Sequence, residues 1–236
     1  MIEKSKNDFS AYGGKNWRPR EKSHRAEIGS LWRSCGIDSE WMPLQSVLLH
    51  QPGIEWETLS DPNDAQMLSV PDVELASQQH SCLADAYREA GVTVHYVDPD
   101  AKPPPNLIFC ADLFFMTPEG AILARPASSV RAGEERWVAR RLADLGIPIL
   151  KTLRANAVFE GADALWVDHR TVLIGKGIRT NRQGVDQVCT ALHEMGVVTM
   201  VIDLPIGSMH LMGMVRFLDS DLAVAWNYRL AWSAVE

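Results

Sequence analysis

The feature that most constrains this chain is that it repeats itself. Ala111-Asp112 returns as Ala162-Asp163, a shift of 163 − 112 = 51, and the glycines that stop two helical stretches, Gly146 and Gly196, are separated by 196 − 146 = 50. Each unit reads as strand, turn, strand, helix, glycine, strand. The first has strands at 107–116 and 121–125 around Pro118-Glu119-Gly120, a helix at 133–145 and a strand at 147–150. The second has strands at 164–167 and 171–175, a helix at 185–195 and a strand at 197–202. Before them, a strand at 46–50 stops at Pro52-Gly53, a polar insertion fills 55–73, and a helix at 74–90 ends at Gly91 ahead of a strand at 92–97. A fourth unit opens near His210, with strands at 213–218 and 222–226 around Asp219-Ser220-Asp221. A fixed period of about 50 residues, with one strand-strand-helix-strand unit per repeat, is the signature of a propeller-like α/β array.

Within the array, residues 158–181 carry the densest chemistry. Glu160 and Asp163 flank Gly161, the hairpin follows across Asp168-His169-Arg170, and Arg179 precedes the helix start at Thr180-Asn181. Two carboxylates at one end and a guanidinium at the other suit a small zwitterion or cation. From these residues alone an ordinary hairpin with polar caps is the simpler reading, since charged turn residues usually face water.

Composition narrows the function classes. An apolar content of 46% with 22% charged residues is that of a globular chain with a core. The net charge of −7 argues against a nucleic-acid or membrane-surface partner. Cys35, Cys82, Cys110 and Cys189 lack the spacing of a metal site or a disulfide framework, and no metal cluster or phosphate loop is visible, so neither metal nor cofactor is expected, and a reducing cytoplasm is the expected compartment. Cys82 and Cys189 fall in helical patterns and read as core. Residues 1–43, rich in Lys, Arg, Ser, Asn and Gly, read as an N-terminal arm with Trp17 and Trp32 as anchors and a short helix from Glu27 to Ser34. The body spans 44–236.

Six motifs now stand in order: LLHQPG (48–53), FCADLFF (109–115), RPASSVRAGEE (125–135), FEGAD (159–163), IRTNR (178–182) and GSMHLM (207–212). Together they resemble the guanidino-group-modifying, or pentein, superfamily of arginine deiminases, dimethylarginine dimethylaminohydrolases and amidinotransferases. The resemblance implies a pseudo-fivefold α/β propeller with its site on the central axis. It also implies a small-molecule guanidino substrate and a homodimer. A guanidinium is planar and cationic, so carboxylates hold it through paired hydrogen bonds, and its hydrolysis needs a strong nucleophile and a proton donor for the leaving amine. By resemblance, Asp112 and Glu160 grip the guanidinium, and Glu160 also orients His210. His210 protonates the leaving amine and then activates water. Asp163 is a supporting or substrate carboxylate, and Arg131 and Arg179 anchor the substrate's own carboxylate. Read without the resemblance, Arg131 is a surface partner of Glu134 or Glu135, and His210, between Met209 and Leu211, is a core histidine.

Two departures from the family pattern matter. Deiminases and amidinotransferases carry Asp two residues beyond the catalytic His. Met212 stands there; dimethylarginine dimethylaminohydrolases also lack that Asp, so the site resembles theirs more, and an apolar Met favours a substituted guanidinium. The family's nucleophile is a Cys in the last unit, and none follows Cys189. The expectation is a C-terminally incomplete propeller whose complete form reaches about 300 residues. Cys110, two residues before Asp112, is the one alternative thiol near the site, and a small core residue is the competing reading of it. The expected activity is cysteine-dependent hydrolysis of a guanidino amino acid to a ureido product and an amine or ammonia. Amidino transfer to an amine acceptor and guanidino binding without catalysis are the alternatives.

Overall fold

The computed structural model describes residues 9–230. In chain order the elements are α1 (His24–Glu27), β1 (Ser46–Leu49), α2 (Ile54–Glu57), α3 (Val73–Glu89), β2 (Thr93–Tyr96), β3 (Phe114–Thr117), β4 (Gly120–Leu123), α4 (Glu134–Asp144), β5 (Ile149–Thr152), β6 (Ala164–Asp168), β7 (Thr171–Lys176), α5 (Arg182–Glu194), β8 (Val198–Asp203), β9 (Val215–Asp219) and β10 (Leu222–Ala225). They form a mixed α/β fold with four small sheets: β1-β2, β3-β4-β5, β6-β7-β8 and β9-β10. The repeat is visible in the pairing. β3 runs antiparallel to β4, which runs parallel to β5, and β6, β7 and β8 pair in the same sense. Each parallel step crosses over through a helix, α4 or α5, as a parallel connection requires.

The helices follow from their sequences. Asn181 accepts a hydrogen bond from Gly184 N and so caps α5, which buries Val185, Val188, Ala191 and Leu192 on one stripe. α4 carries Glu134 and Glu135 in its first turn, beside the positive helix end, and buries Trp137, Val138 and Leu142. Both helices hand over to a strand through a glycine at positive φ, Gly146 at +74° and Gly196 at +75°, where a side chain would be strained. The core between the two complete units centres on Trp166, whose ring stacks on Phe115 at 5.7 Å and whose Nε1 donates to Met116 O at 3.0 Å. Phe159, Ile174, Val188 and Leu192 close around it, fully buried, each worth about 1.5–3 kcal/mol relative to exposure.

Four expectations need correction. Residues 107–116 are not one strand. Cys110–Asp112 is a 3-10 turn, closed by Leu113 N to Cys110 O, and the strand starts only at Phe114. A strand through Asp112 would have carried its carboxylate past apolar neighbours, whereas the turn aims it at partners. Residues 55–73 are not a plain polar insertion but contain α2 and a 3-10 turn, Pro62–Ala65, capped by Asp61. The helix proposed from Glu27 to Ser34 is instead α1, capped by Ser23 and followed by Gly29 at φ +82°. Cys82 is exposed, not core, because α3 packs on a sheet of only two strands and buries little beyond His80 and Ala84.

The N-terminal residues lie along the two complete units. His24 Nε2 meets Glu119 O at 2.9 Å, Arg33 N donates to Gly146 O, and Glu40 Oε1 accepts from Trp166 N at 3.1 Å. Trp32 stands edge-on to His24, while Trp17 is exposed. Among the described residues no helix is long and apolar enough to cross a membrane.

Candidate active site

The site is built at one recurring point of the unit. Three 3-10 turns, Cys110–Asp112, Gly161–Asp163 and Leu211–Gly213, each lead into the first strand of a hairpin, β3, β6 and β9. The residues immediately before them are Phe109, Glu160 and His210, so two of the expected site residues occupy equivalent positions in successive units. Gly161 lets the first two turns close up. A Cβ on it would collide with Phe114 O and would lie 2.6 Å from Ala111 O, so only glycine lets Glu160 come this near Asp112. The end of β4 is fastened to the same place by paired bonds between Arg125 and Phe159, at 3.0 and 3.1 Å.

Asp163 ties in the third turn. Its Oδ1 accepts from Leu211 N at 3.0 Å and its Oδ2 from Thr180 Oγ1 at 2.6 Å, and Thr180 Oγ1 in turn accepts from Glu160 N at 3.3 Å. Asp163 thus fixes the backbone on both sides of the site. Burial pushes its carboxyl up to about 6, against the pull of those hydrogen bonds and of His210.

These constraints bring Asp112, Glu160, Arg131, Arg179 and His210 together. His210 Nε2 donates to Glu160 Oε2 at 2.7 Å and lies 3.7 Å from Asp112 Oδ1. Burial disfavours the charged ring, but the Glu160 hydrogen bond and the Asp112 and Asp163 carboxylates outweigh it, so the His210 pKa is raised. Glu160 is fully buried. Burial alone would raise its carboxyl, yet His210, Ala127 N at 3.1 Å, Arg179 and Arg131 hold it below the usual range. Arg179 Nη1 is 3.4 Å from Glu160 Oε1.

Arg131 is not on the surface. Only 4% exposed, it places Nη1 2.5 Å from Asp112 Oδ2 and 3.4 Å from Glu160 Oε2. Its Nε and Nη2 meet Glu134 Oε2 at 2.9 and 2.8 Å, and Nη2 also lies 3.4 Å from the Asn106 and Phe109 carbonyls. The Phe109 ring lies 5.8 Å from the guanidinium carbon. Burial works against this cation, but Glu134 and Asp112 outweigh it and raise its pKa. Glu134 is the residue sequence reasoning undervalued. It is fully buried, its Oε1 has no hydrogen-bond partner, and burial raises its pKa to about 7 despite Arg131. Its place in the 125–135 motif was the available signal.

One face of the assembly opens. A cleft of about 1150 Å³ is lined by Asp112, Arg131, Arg179 and His210, with Phe109, Met209 and Met212 as apolar walls. Glu160 and Asp163 are fully buried and do not line it. Cys110 borders the cleft, but its thiol donates to Leu107 O at 3.3 Å and burial pushes its pKa up to about 12, so it is no thiolate at neutral pH. Donor atoms of Asp112, Glu160 and His210 lie within 4.8 Å of one another, the one such grouping among the described residues. The positive charge they call for is met by Arg131.

Paired carboxylates, Asp112 and Glu160, beside the His210 imidazole, with Glu160 and His210 at equivalent points of a repeated ββαβ unit, fit a guanidino-group-modifying, pentein-type chain. Residues 64–225 match the family described as N,N dimethylarginine dimethylhydrolase, eukaryotic, and the chain belongs to that family. Curated relatives include the N(G),N(G)-dimethylarginine dimethylaminohydrolase of Mycobacterium tuberculosis, 28% identical over 68% of this chain and 49% of that protein. An uncharacterized protein of Aeropyrum pernix is 31% identical over 54% of this chain and 47% of its own length. The chain spans about half the length of these relatives. Among solved structures, a DDAH of Pseudomonas aeruginosa complexed with citrulline aligns with TM-score 0.67 at 23% identity, covering 77% of this chain and 69% of that one. The N-terminal domain of the cyanobacterial arginine dihydrolase ArgZ aligns with TM-score 0.69 at 19% identity, covering 81% and 70%.

Proposed function

We propose that this chain carries the guanidino-binding and acid–base part of a cysteine-dependent hydrolase that converts a guanidino amino acid into a ureido product and an amine or ammonia. The observation that carries the reading is the single cluster in which the Asp112 and Glu160 carboxylates meet the His210 ring beside an open cleft. In this reading Asp112 and Glu160 hold the flat cation, and Glu160 keeps His210 oriented and protonated. His210 passes its proton to the departing amine and afterwards draws one from the attacking water. Arg179, with a partly open guanidinium at the cleft, takes the substrate's carboxylate, with Arg131 as the second anchor. Asp163 positions rather than reacts. Met209 and Met212 offer an apolar wall for a substituent on the guanidine.

The same reading places the units around a common axis through the cleft, follows an arm over 1–43 with a working domain from 44, and includes a homodimer and a cytoplasmic setting. It assigns the attack to a thiolate. None of the four cysteines described here meets that need: Cys110 is held as a thiol, Cys35 is raised by burial, Cys189 packs on the core, and Cys82 is on α3. The reading therefore assigns the attacking sulfur to none of these four cysteines. That observation also favours a second reading, in which the chain binds guanidino ligands without turning them over.

Calorimetric titration with L-arginine, methylated arginines, L-citrulline and agmatine tests both. Binding of the amino acids in the millimolar range or tighter, abolished by Asp112→Asn, is the expected result. No heat with any of them refutes the guanidino reading. Release of a ureido product, measured with the same protein, separates hydrolase from binder.

A further inference from the structure

Arg131 sits where the proposed reading needs a substrate. Its Nη1 lies between the two carboxylates assigned to the ligand, Asp112 at 2.5 Å and Glu160 at 3.4 Å, and it shares Glu160 Oε2 with His210. On the far side Nε and Nη2 rest on Glu134 Oε2, and the Phe109 ring lies alongside. Two acids, a stacking ring and an adjacent imidazole are the surroundings a bound guanidinium would have. A buried carboxylate pair also needs a cation at all times, because leaving one charge unpaired in a dry site is strongly unfavourable. The cleft is lined by Asp112, Arg131, Arg179 and His210 alike, so an incoming cation meets Asp112 with Arg131 already paired to it.

Resting on that reading, we infer that Arg131 is a built-in occupant of the guanidinium clasp, and that a ligand enters by taking over the place of its Nη1. The exchange swaps one cation for another, so the carboxylates are never left bare. Glu134, fully buried and bound to Nε and Nη2, keeps the inner side of the guanidinium while Nη1 turns out toward the cleft. A ligand bearing its own carboxylate gives the displaced Nη1 a new partner. A bare guanidine does not. The occupant therefore selects guanidino acids over simple guanidines, and it lowers apparent affinity by the fraction of molecules in which the clasp is open.

The test compares L-arginine with methylguanidine, which has the head group alone, in the natural chain and in Arg131→Ala. Removing the occupant is expected to tighten methylguanidine binding by about tenfold or more, as for a clasp open in a tenth of molecules or fewer, and to weaken L-arginine, so that the preference reverses. The second readout uses the unmutated protein labelled in its arginines with ¹³C and ¹⁵N. Saturating unlabelled L-arginine is expected to shift the Arg131 Nη resonances and speed their exchange, with Arg131→Lys used to assign them if the alanine variant does not fold. Methylguanidine binding that is unchanged or weaker in folded Arg131→Ala, or L-arginine binding that leaves the Arg131 resonances in place, overturns the inference alone. If neither protein binds any guanidino compound, the functional reading falls as well.

Discussion

Replacing Glu134 by Gln turns one buried carboxyl into a probe of the whole cluster. The side chain is fully buried, gives Oε2 to Arg131 and leaves Oε1 without a hydrogen-bond partner. Burial raises its pKa from 4.5 to about 7, even after the opposing pull of Arg131, and Asp112 and Glu160 add to the rise. The sign follows from proton counting. Between pH 4.5 and about 7 the unfolded chain has released this proton while the folded chain still holds it. Stability therefore falls as pH rises through that window, by about 1.4 kcal/mol per unit, and the loss is complete above it. The contribution of Glu134 amounts to about 3 kcal/mol at most.

The amide has the shape of the neutral acid and cannot ionise, and its N–H₂ takes the orphan place just as the acid's O–H does. At pH 5 Glu134→Gln is expected to lie within about 1 kcal/mol of the parent. At pH 8 it is expected to exceed the parent by up to about 3 kcal/mol. Urea unfolding at the two pH values, followed by tryptophan fluorescence, reads the difference directly, and subtracting parent from variant cancels the titrating groups that do not interact with Glu134. If the gap is the same at both pH values, or if the variant loses ground at pH 8, then Arg131 keeps Glu134 ionised throughout and the burial argument is wrong.

Two further substitutions test the scaffold. Asp163→Ala strands the buried Leu211 N–H and Thr180 hydroxyl, which should cost about 2–4 kcal/mol in urea unfolding, whereas a loss below about 0.5 kcal/mol would mean the third turn holds itself. Gly161→Ala drives a methyl into the Phe114 and Ala111 carbonyls and should cost about 3 kcal/mol or more, while Gly196→Ala, with open space at its Cβ, should cost only about 1 kcal/mol. Equal effects would remove the argument that close approach at Gly161 builds the site.

What could be read from the chain alone divides along a physical line. Hydrophobic periodicity and helix-stopping glycines specify local structure, and so the two complete ββαβ units, with α4, α5 and their handover to β5 and β8, were legible to within a few residues. Glu160 and His210 are named by resemblance rather than by the repeat; in the structure they stand 50 residues apart at the same point of the unit and meet at 2.7 Å. Where backbone hydrogen bonding is decided by tertiary partners, the pattern misled. The apolar run at 107–116 looked like a strand, yet Asp112 sits on a turn that exists because its carboxylate is drawn to Arg131 and because Gly161 presses in behind it. Cys82 fits a helical stripe, but nothing in the sequence announced that α3 would face a sheet of only two strands.

Arg131 shows where such reading stops. Nineteen residues separate it from Asp112 and 29 from Glu160. Its motif marks it as a cation near acids, and a surface pair with Glu134 satisfies that pattern as well as a buried one does. The choice between them turns on burial, since a guanidinium in water gains little from any single carboxylate, while three buried carboxylates cannot remain charged together without it. Sequence spacing states which charges are available, whereas desolvation decides which must pair. In this chain that decision puts the Arg131 guanidinium between the Asp112 and Glu160 carboxylates, and under the proposed reading a ligand guanidinium has to compete with it for that place.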